Sequence, residues 1–397
     1  MDPNERFLAA AVERGLLAPE QARALLARAV AAGRPAWDVA VEVGALPRVA
    51  SAPPGAPRLE VTGELGRGGM GRVLRARDPA IGREVAKKVL LDPTEASPDA
   101  RARFLHEARV TGQLEHPGIV PVYEVGQERS GEPYFVMKLV RGRSLAAVLE
   151  ATRADPTHDG GRLPVLLRQF LKVCEAVAYA HARGVLHRDL KPANVMVGDF
   201  GEVLVLDWGL ARVRGQPDAA GGVGRLPAPG ADHAQTQDGE LLGTPDYMPP
   251  EQAEGRRDAV DERSDVYALG AILFELLTLR PPFVGTTQIH LLKQVLMDAP
   301  PDPRAVAPAG RAVPRELAAV ALKALARDPA QRYAGAADLA AEVTRFLDGR
   351  PVEALPVGVV GRALKWAARH AELTAALTGA LVLLLLVGGA AGFALAA

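Results

Sequence analysis

HRDLKPANVMVGDFGEVLVLDWGLAR, residues 187–212, decides the fold of this chain. It holds two aspartates in similar settings, Asp199 in the run GDFG (198–201) and Asp207 in the run LDWG (206–209). The runs 194–197 and 202–206 are rich in β-branched and aliphatic residues, with a Gly/Asp turn between them, so they predict a hairpin. Folding back brings Asn194, just before one strand, beside Asp207, just after the other. Asp199 falls at the opposite tip, about three residues and so roughly 10 Å away. Asn194 and Asp207 can therefore share one metal ion, and Asp199 reads as turn chemistry.

Upstream of this hairpin the pattern is β-rich. LEVTGELGRGGMGRVLRARDP, from Leu59, alternates apolar and polar residues around glycines and suits two strands joined by a tight turn. EVAKKVLL, YEVGQE and PYFVMKLV supply three more strand-like runs, and ARARFLHEARVTGQLE is helical. Beyond Gly142 the spacing predicts helices over 164–183, 261–279, 285–298, 314–327 and 336–347. A β-rich lobe followed by a larger helical lobe, an α+β organisation, follows from the pattern alone.

Gly66, Gly68 and Gly71 fit G-x-G-x-x-G, a spacing shared with dinucleotide-binding folds. Such a fold needs a helix immediately afterwards, whereas here Val73 to Ala76 continue a strand and Asp78-Pro79 breaks the chain. A hairpin whose glycines let backbone amides approach phosphates fits better, with Val73 packing on an adenine. Lys88 ends a Val-Ala-x-Lys pattern, and Lys87 alternates to the other face of its strand. Glu107 is the acid placed to pair with Lys88, because Glu115 adjoins the helix-ending His116-Pro117-Gly118.

In this order and spacing the chain resembles a eukaryotic-type (Hanks-type) serine/threonine protein kinase of the bacterial branch, from about Leu59 to Leu347. The resemblance implies a bilobal protein kinase fold, with ATP and Mg²⁺ as cofactors and a protein Ser/Thr hydroxyl as acceptor. It implies that Leu65, Gly66, Gly68, Gly71, Val73, Ala86, Lys88, Met137 and Leu139 hold the nucleotide. Lys88 and Glu107 resemble the activating ion pair. Asp189 resembles the acceptor of the substrate's proton, Lys191 the γ-phosphate partner, and Asn194 with Asp207 the magnesium ligands. His187 resembles a support for the catalytic loop, Asp265 its brace, and Glu251 with Arg332 a structural ion pair. Trp208 stands where the family has Phe, Pro249 where it has Ala, and Lys138 where acidic hinge residues are common. GTPDYMPPE, 243–251, resembles a protein-substrate platform, and Lys191 with Thr244 points away from tyrosine specificity.

Between Asp207 and Glu251, Thr236 and Thr244 are the Ser/Thr positions. Arg188, beside Asp189, is a cation that a phosphate would satisfy, so Thr236 is the expected phosphorylation site. The insertion 151–163 reads as a surface loop. A membrane-anchored pseudokinase scaffold is the alternative reading; such proteins usually lose a position equivalent to Lys88, Asp189, Asn194 or Asp207, and all four stand here.

Lys plus Arg and Asp plus Glu both count 47, so no net charge steers the chain toward nucleic acid. The single cysteine, Cys174, excludes an intrachain disulfide and reads as a core residue on a helix. Residues 1–50 form a small helical module, 51–58 a linker, 59–141 the N-lobe, 142–348 the C-lobe and 349–372 a basic juxtamembrane segment. Residues 1–20 are charged and lack the apolar core of a cleavable signal peptide. Residues 373–397 carry no charge, and as a helix they span roughly 37 Å, enough for a bilayer core of about 30 Å. Arg350, Arg362, Lys365, Arg369 and His370 precede them, which predicts a single-pass transmembrane helix with the kinase domain facing the cytoplasm. The arrangement allows a homodimer for trans-autophosphorylation.

Overall fold

A computed structural model of the chain describes residues 3–13, 17–34, 36, 39–40, 59–68, 71–91, 97–128, 131–155, 162–213, 245–356, 358, 361, 366–367, 370, 372–380 and 382–383. The chain divides into two compact units, Met1–Leu65 with Leu74–Val85 and Gly66–Val73 with Ala86–Ala397.

The first unit contains α1 (Pro3–Glu13) and α2 (Pro19–Ala32). Pro19 suits the first turn of α2, and the Gln21 side chain accepts from Ala18 N at 2.9 Å. Gly33, at φ 59°, ends it in the left-handed conformation that glycine adopts without steric cost. Leu8, Ala11, Leu17, Leu25, Ala29 and Val39 form the small core. Asn4 Oδ1 accepts from Ala36 N at 2.8 Å and ties the module's ends together.

Strands β1 (Glu60–Arg67), β2 (Gly71–Asp78), β3 (Arg83–Leu90), β4 (Val122–Gln127) and β5 (Pro133–Lys138) follow the sheet order β1-β2-β3-β5-β4. Helix α3 (Pro98–Gln113) begins at Ser97, whose hydroxyl accepts from Ala100 N at 3.2 Å. Its Phe104 and Ala108 pack with Leu90 and Phe135, the Phe104 and Phe135 rings lying 5.1 Å apart.

The rest of the second unit is mainly helical: α4 (Leu145–Ala154), α5 (Leu163–Ala182), α6 (Pro250–Ala253), α7 (Glu262–Thr278), α8 (Gln288–Met297), α9 (Pro303–Val306), α10 (Arg315–Ala324) and α11 (Ala336–Leu347). Helix α7 is buried continuously from Ser264 to Thr278, so it is the axis on which the others pack. Gly270 makes that possible, because a Cβ there would lie 2.7 Å from Ala324 Cβ on α10. Two small sheets complete the unit: β6 (Gly142–Ser144), β8 (Val195–Gly198) and β9 (Val203–Val205) in the order β6-β8-β9, and β7 (Val185–Leu186) paired with β10 (Arg212–Val213).

The stretch 151–163 is less of a loop than expected. α4 continues to Ala154, because Thr152 is buried and its hydroxyl donates to Val148 O at 2.7 Å, an apolar-face contact its polarity conceals. Thr236, Thr244 and residues 384–397 lie outside the described residues. Among the described residues no helix is long and apolar enough to cross a membrane; residues 372–380 and 382–383 are helical, with Leu373, Leu377, Val382 and Leu383 exposed.

Candidate active site

The hairpin of β8 and β9 pairs Val195 with Val205 and Val197 with Val203. At its open end Leu206 N donates to Asn194 O at 2.8 Å, so Asn194 and Asp207 stand side by side. At its closed end Gly198 N donates to Glu202 O at 2.8 Å, and Gly201 takes φ 81°. Asp199 and Phe200 are exposed there, Phe200 at 95%. Trp208, by contrast, is fully buried, its ring 4.5 Å from that of His187. The two tripeptides that look alike in sequence are thus a surface turn and a core anchor.

Asp207 has φ 61°, an uncommon conformation for a residue with a Cβ. Its Oδ1 lies 3.5 Å from Lys88 Nζ. The Lys88 ammonium is 2.6 Å from Glu107 Oε1, which joins β3 to α3. Burial disfavours the ammonium, yet Glu107 and then Asp207 outweigh it and hold Lys88 above the ordinary lysine range. Burial also dominates at Glu107 and pushes its carboxyl up to about 7, against the pull of Lys88. At Asp207 burial is overcome by Lys88, His187 and Lys191, which keep the carboxyl below its ordinary value. Lys87 points elsewhere: its ammonium pairs with Glu128 and lies 4.3 Å from the Tyr134 ring centroid.

The loop after β7 is built around Asp265, almost wholly buried on α7. Its Oδ2 accepts from His187 N at 2.8 Å and its Oδ1 from Arg188 N at 2.9 Å. Arg188 takes φ 66°, the second left-handed residue of the site. His187 Nε2 lies 3.1 Å from Leu206 O, tying the loop to β9. Lys191 Nζ donates to Asp189 Oδ2 at 2.8 Å, and Asn194 Nδ2 donates to Asp189 O at 2.9 Å and Oδ2 at 3.1 Å. Both amide hydrogens of Asn194 therefore face Asp189, which leaves its Oδ1 as a hard oxygen donor beside Asp207. A carboxylate and a carboxamide oxygen suit a magnesium ion that completes its shell with water and phosphate oxygens.

In the glycine turn Gly68 N donates to Gly71 O at 2.8 Å. A Cβ at Gly71 would fall 2.5 Å from Val89 O, so this strand crossing admits glycine, while a Cβ at Gly66 would meet no atom of the described residues within 4 Å. Val73 is half-buried on β2, and Ala86, two residues before Lys88, is buried on the same face of β3. Met137 packs beside Phe104 and Phe135, and Leu139 follows half-buried after β5. Leu65 is exposed on β1 in the first unit.

Glu251 and Arg332 are joined by two bonds of 2.8 Å, with Ser264 Oγ donating to Glu251 Oε1 at 2.6 Å. Three residues escape the motif reading. His106 Nε2 lies 3.0 Å from Ala211 O and holds α3 against the strand that follows Asp207. His181 Nε2 lies 2.9 Å from Asp265 Oδ2. Gln252 Nε2 donates to Arg188 O at 3.1 Å. The adjacency of His106 to Glu107 and of Gln252 to Glu251 is the local signal among them.

A family model described as protein kinase domain matches residues 59–343. Serine/threonine-protein kinase PknD of Protochlamydia amoebophila is 37% identical over 298 residues, 73% of this chain and 30% of that protein. The probable serine/threonine-protein kinase SCO3848 of Streptomyces coelicolor is 37% identical over 302 residues, covering 75% of this chain and 41% of the relative. Serine/threonine-protein kinase PknB of Mycobacterium leprae is 37% identical over 306 residues, covering 75% and 44%. The chain thus spans less than half the length of these relatives.

Proposed function

The chain belongs to the protein kinase family, and from that premise we propose that it is an active serine/threonine kinase that transfers the γ-phosphoryl of ATP to protein hydroxyls. The observation that carries the reading is the convergence of Lys88, Glu107 and Asp207 at one end of a site whose other end is Asp189 with Lys191 and Asn194.

Phosphoryl transfer asks a protein for positioning and charge stabilisation more than for covalent chemistry. Gly66, Gly68 and Gly71 cover the phosphates with backbone amides, and Val73, Ala86, Met137 and Leu139 pack around the base. Lys88, held by Glu107, grips the α- and β-phosphates. Asn194 and Asp207 would hold Mg²⁺, which when bound offsets charge on the phosphoryl oxygens. Asp189 accepts the proton of the attacking hydroxyl, and Lys191 neutralises the γ-phosphate as the bond to the leaving group lengthens. Trp208 keeps this arrangement because its ring fills the core beneath Asp207 without touching the carboxylate's role. Thr236 is the proposed autophosphorylation site.

Residues 373–397 are proposed to tether the kinase to the cytoplasmic membrane from its inner side, on the strength of the uncharged run and its basic flank. Release of the chain from membranes by alkaline carbonate wash would overturn that tether.

The test is transfer of radiolabelled phosphate from ATP with Mg²⁺ by the full chain, compared with Asp189→Ala and Asp207→Ala. Autophosphorylation is expected to fall by about 10³-fold or more in both variants. Equal labelling in all three proteins would leave only the scaffold reading.

A further inference from the structure

We propose that Gln252 is a positioning residue for Asp189, acting through the carbonyl of Arg188. The proposal rests on the kinase reading above. Gln252 sits on α6, directly after Glu251, and is 6% exposed. Its Nε2 donates to Arg188 O at 3.1 Å across 64 residues of sequence. The same Arg188 has its N–H bound by Asp265 Oδ1 at 2.9 Å and its φ at 66°. One residue ahead of Asp189 is therefore gripped at both backbone ends, by side chains from two different helices, in a conformation that L-residues seldom adopt.

Such a conformation persists only where its surroundings over-determine it. Asp265 alone fixes the N–H side of Arg188. The carbonyl side, which belongs to the peptide leading directly into Asp189, is held by Gln252. Without that second grip the Arg188–Asp189 peptide rests on the longer bond from Asp189 N to His187 Nδ1, at 3.3 Å, and the Asp189 carboxylate is held less firmly against Lys191 and Asn194, which it now meets at 2.8 and 3.1 Å.

A purely structural role for this amide is disfavoured by its other atom. Gln252 Oε1 is buried with no hydrogen-bond partner among the described residues. Methionine would remove this partnerless acceptor and leave the Arg188 carbonyl without its donor instead, so the two costs roughly offset and the fold's stability changes little. What methionine cannot do is hold the Arg188 carbonyl. Because α6 closes the segment that runs from Asp207 to Glu251, Gln252 also makes the geometry of the catalytic loop depend on how that segment ends.

The experiment uses the full chain and two substitutions of matched shape, Gln252→Met, which removes both hydrogen-bonding atoms, and Gln252→Glu, whose carboxylate accepts but does not donate. In both, kcat is expected to fall by about 10- to 100-fold. KM for ATP stays within about twofold of the wild type, because the nucleotide contacts are untouched. The melting temperature of Gln252→Met stays within a few degrees, and amide hydrogen exchange at 187–190 in the nucleotide-free protein becomes faster. A kcat for Gln252→Met within about twofold of wild type would overturn the proposal. So would a fall in kcat accompanied by a matching rise in KM for ATP and loss of melting temperature. If the wild-type chain itself transfers no phosphate, the kinase reading falls. The exchange rates at 187–190 then decide the Arg188 clamp without it.

Discussion

Glu107 meets Lys88 at 2.6 Å in a setting where burial lifts the glutamate's carboxyl to about 7. The ordinary value is 4.5, so between these two pH values the folded chain binds a proton that the unfolded chain has released. This group's contribution to stability is thus complete below pH 4.5 and is lost as pH rises toward 7. Activity runs the other way, because only the carboxylate braces the lysine. Over pH 5 to 8, wild type is expected to gain kcat while its melting temperature, relative to Glu107→Gln, declines. Parallel melting curves for the two proteins across that range would contradict the assignment. Asp207, held below its ordinary value, titrates outside this window and does not blur it.

The tip of the β8–β9 hairpin supplies a negative control within the same motif. Asp199 and Phe200 are exposed at the end away from Lys88, so Asp199→Ala and Phe200→Ser should leave phosphoryl transfer within about twofold of wild type. The look-alike change Trp208→Ser, in a side chain with no exposure, should cost about 3–5 kcal/mol of stability in chemical denaturation.

Two glycines of the same turn should respond differently to a methyl group. A Cβ at Gly71 collides with Val89 O, so Gly71→Ala is expected to destabilise by about 1–3 kcal/mol and to raise KM for ATP. Gly66 has open space, and Gly66→Ala should leave melting behaviour unchanged. Equal effects from both substitutions would mean that the strands cross elsewhere.

Glu251 and Arg332 are both fully enclosed, and removing one partner strands the other's charge. Arg332→Met alone is expected to cost about 3–5 kcal/mol in urea unfolding. The double change to Glu251→Gln with Arg332→Met should recover part of that loss, because no uncompensated charge remains inside.

Much of the site could be foreseen because its parts are local. Gly66 to Gly71, Lys88, and the run from His187 to Asp207 each carry their spacing within one or two strands, where a period of two and a turn signal suffice to orient side chains. Glu107 could be preferred over Glu115 for a similar reason, since a proline ends the helix at a known place. The length of α4 could not be foreseen. Thr152 looks like a loop residue until one sees its hydroxyl bonded back to Val148 O, and the tertiary burial of that turn outweighs its composition.

What the residues determined unaided was which aspartate belongs beside Asn194, because a hairpin is a local object and its two feet are neighbours by construction. What only the folded chain decided was the second hold on the backbone ahead of Asp189, the Gln252 amide on Arg188 O, beside the Asp265 brace that the family resemblance implied. The groups that hold this backbone reach across long stretches of chain, 78 residues from Asp265 to His187 and 64 from Gln252 to Arg188. Contacts of that span leave no periodic trace, since they arise only when α6 and α7 have packed, and packing depends on volume and burial summed over the entire core.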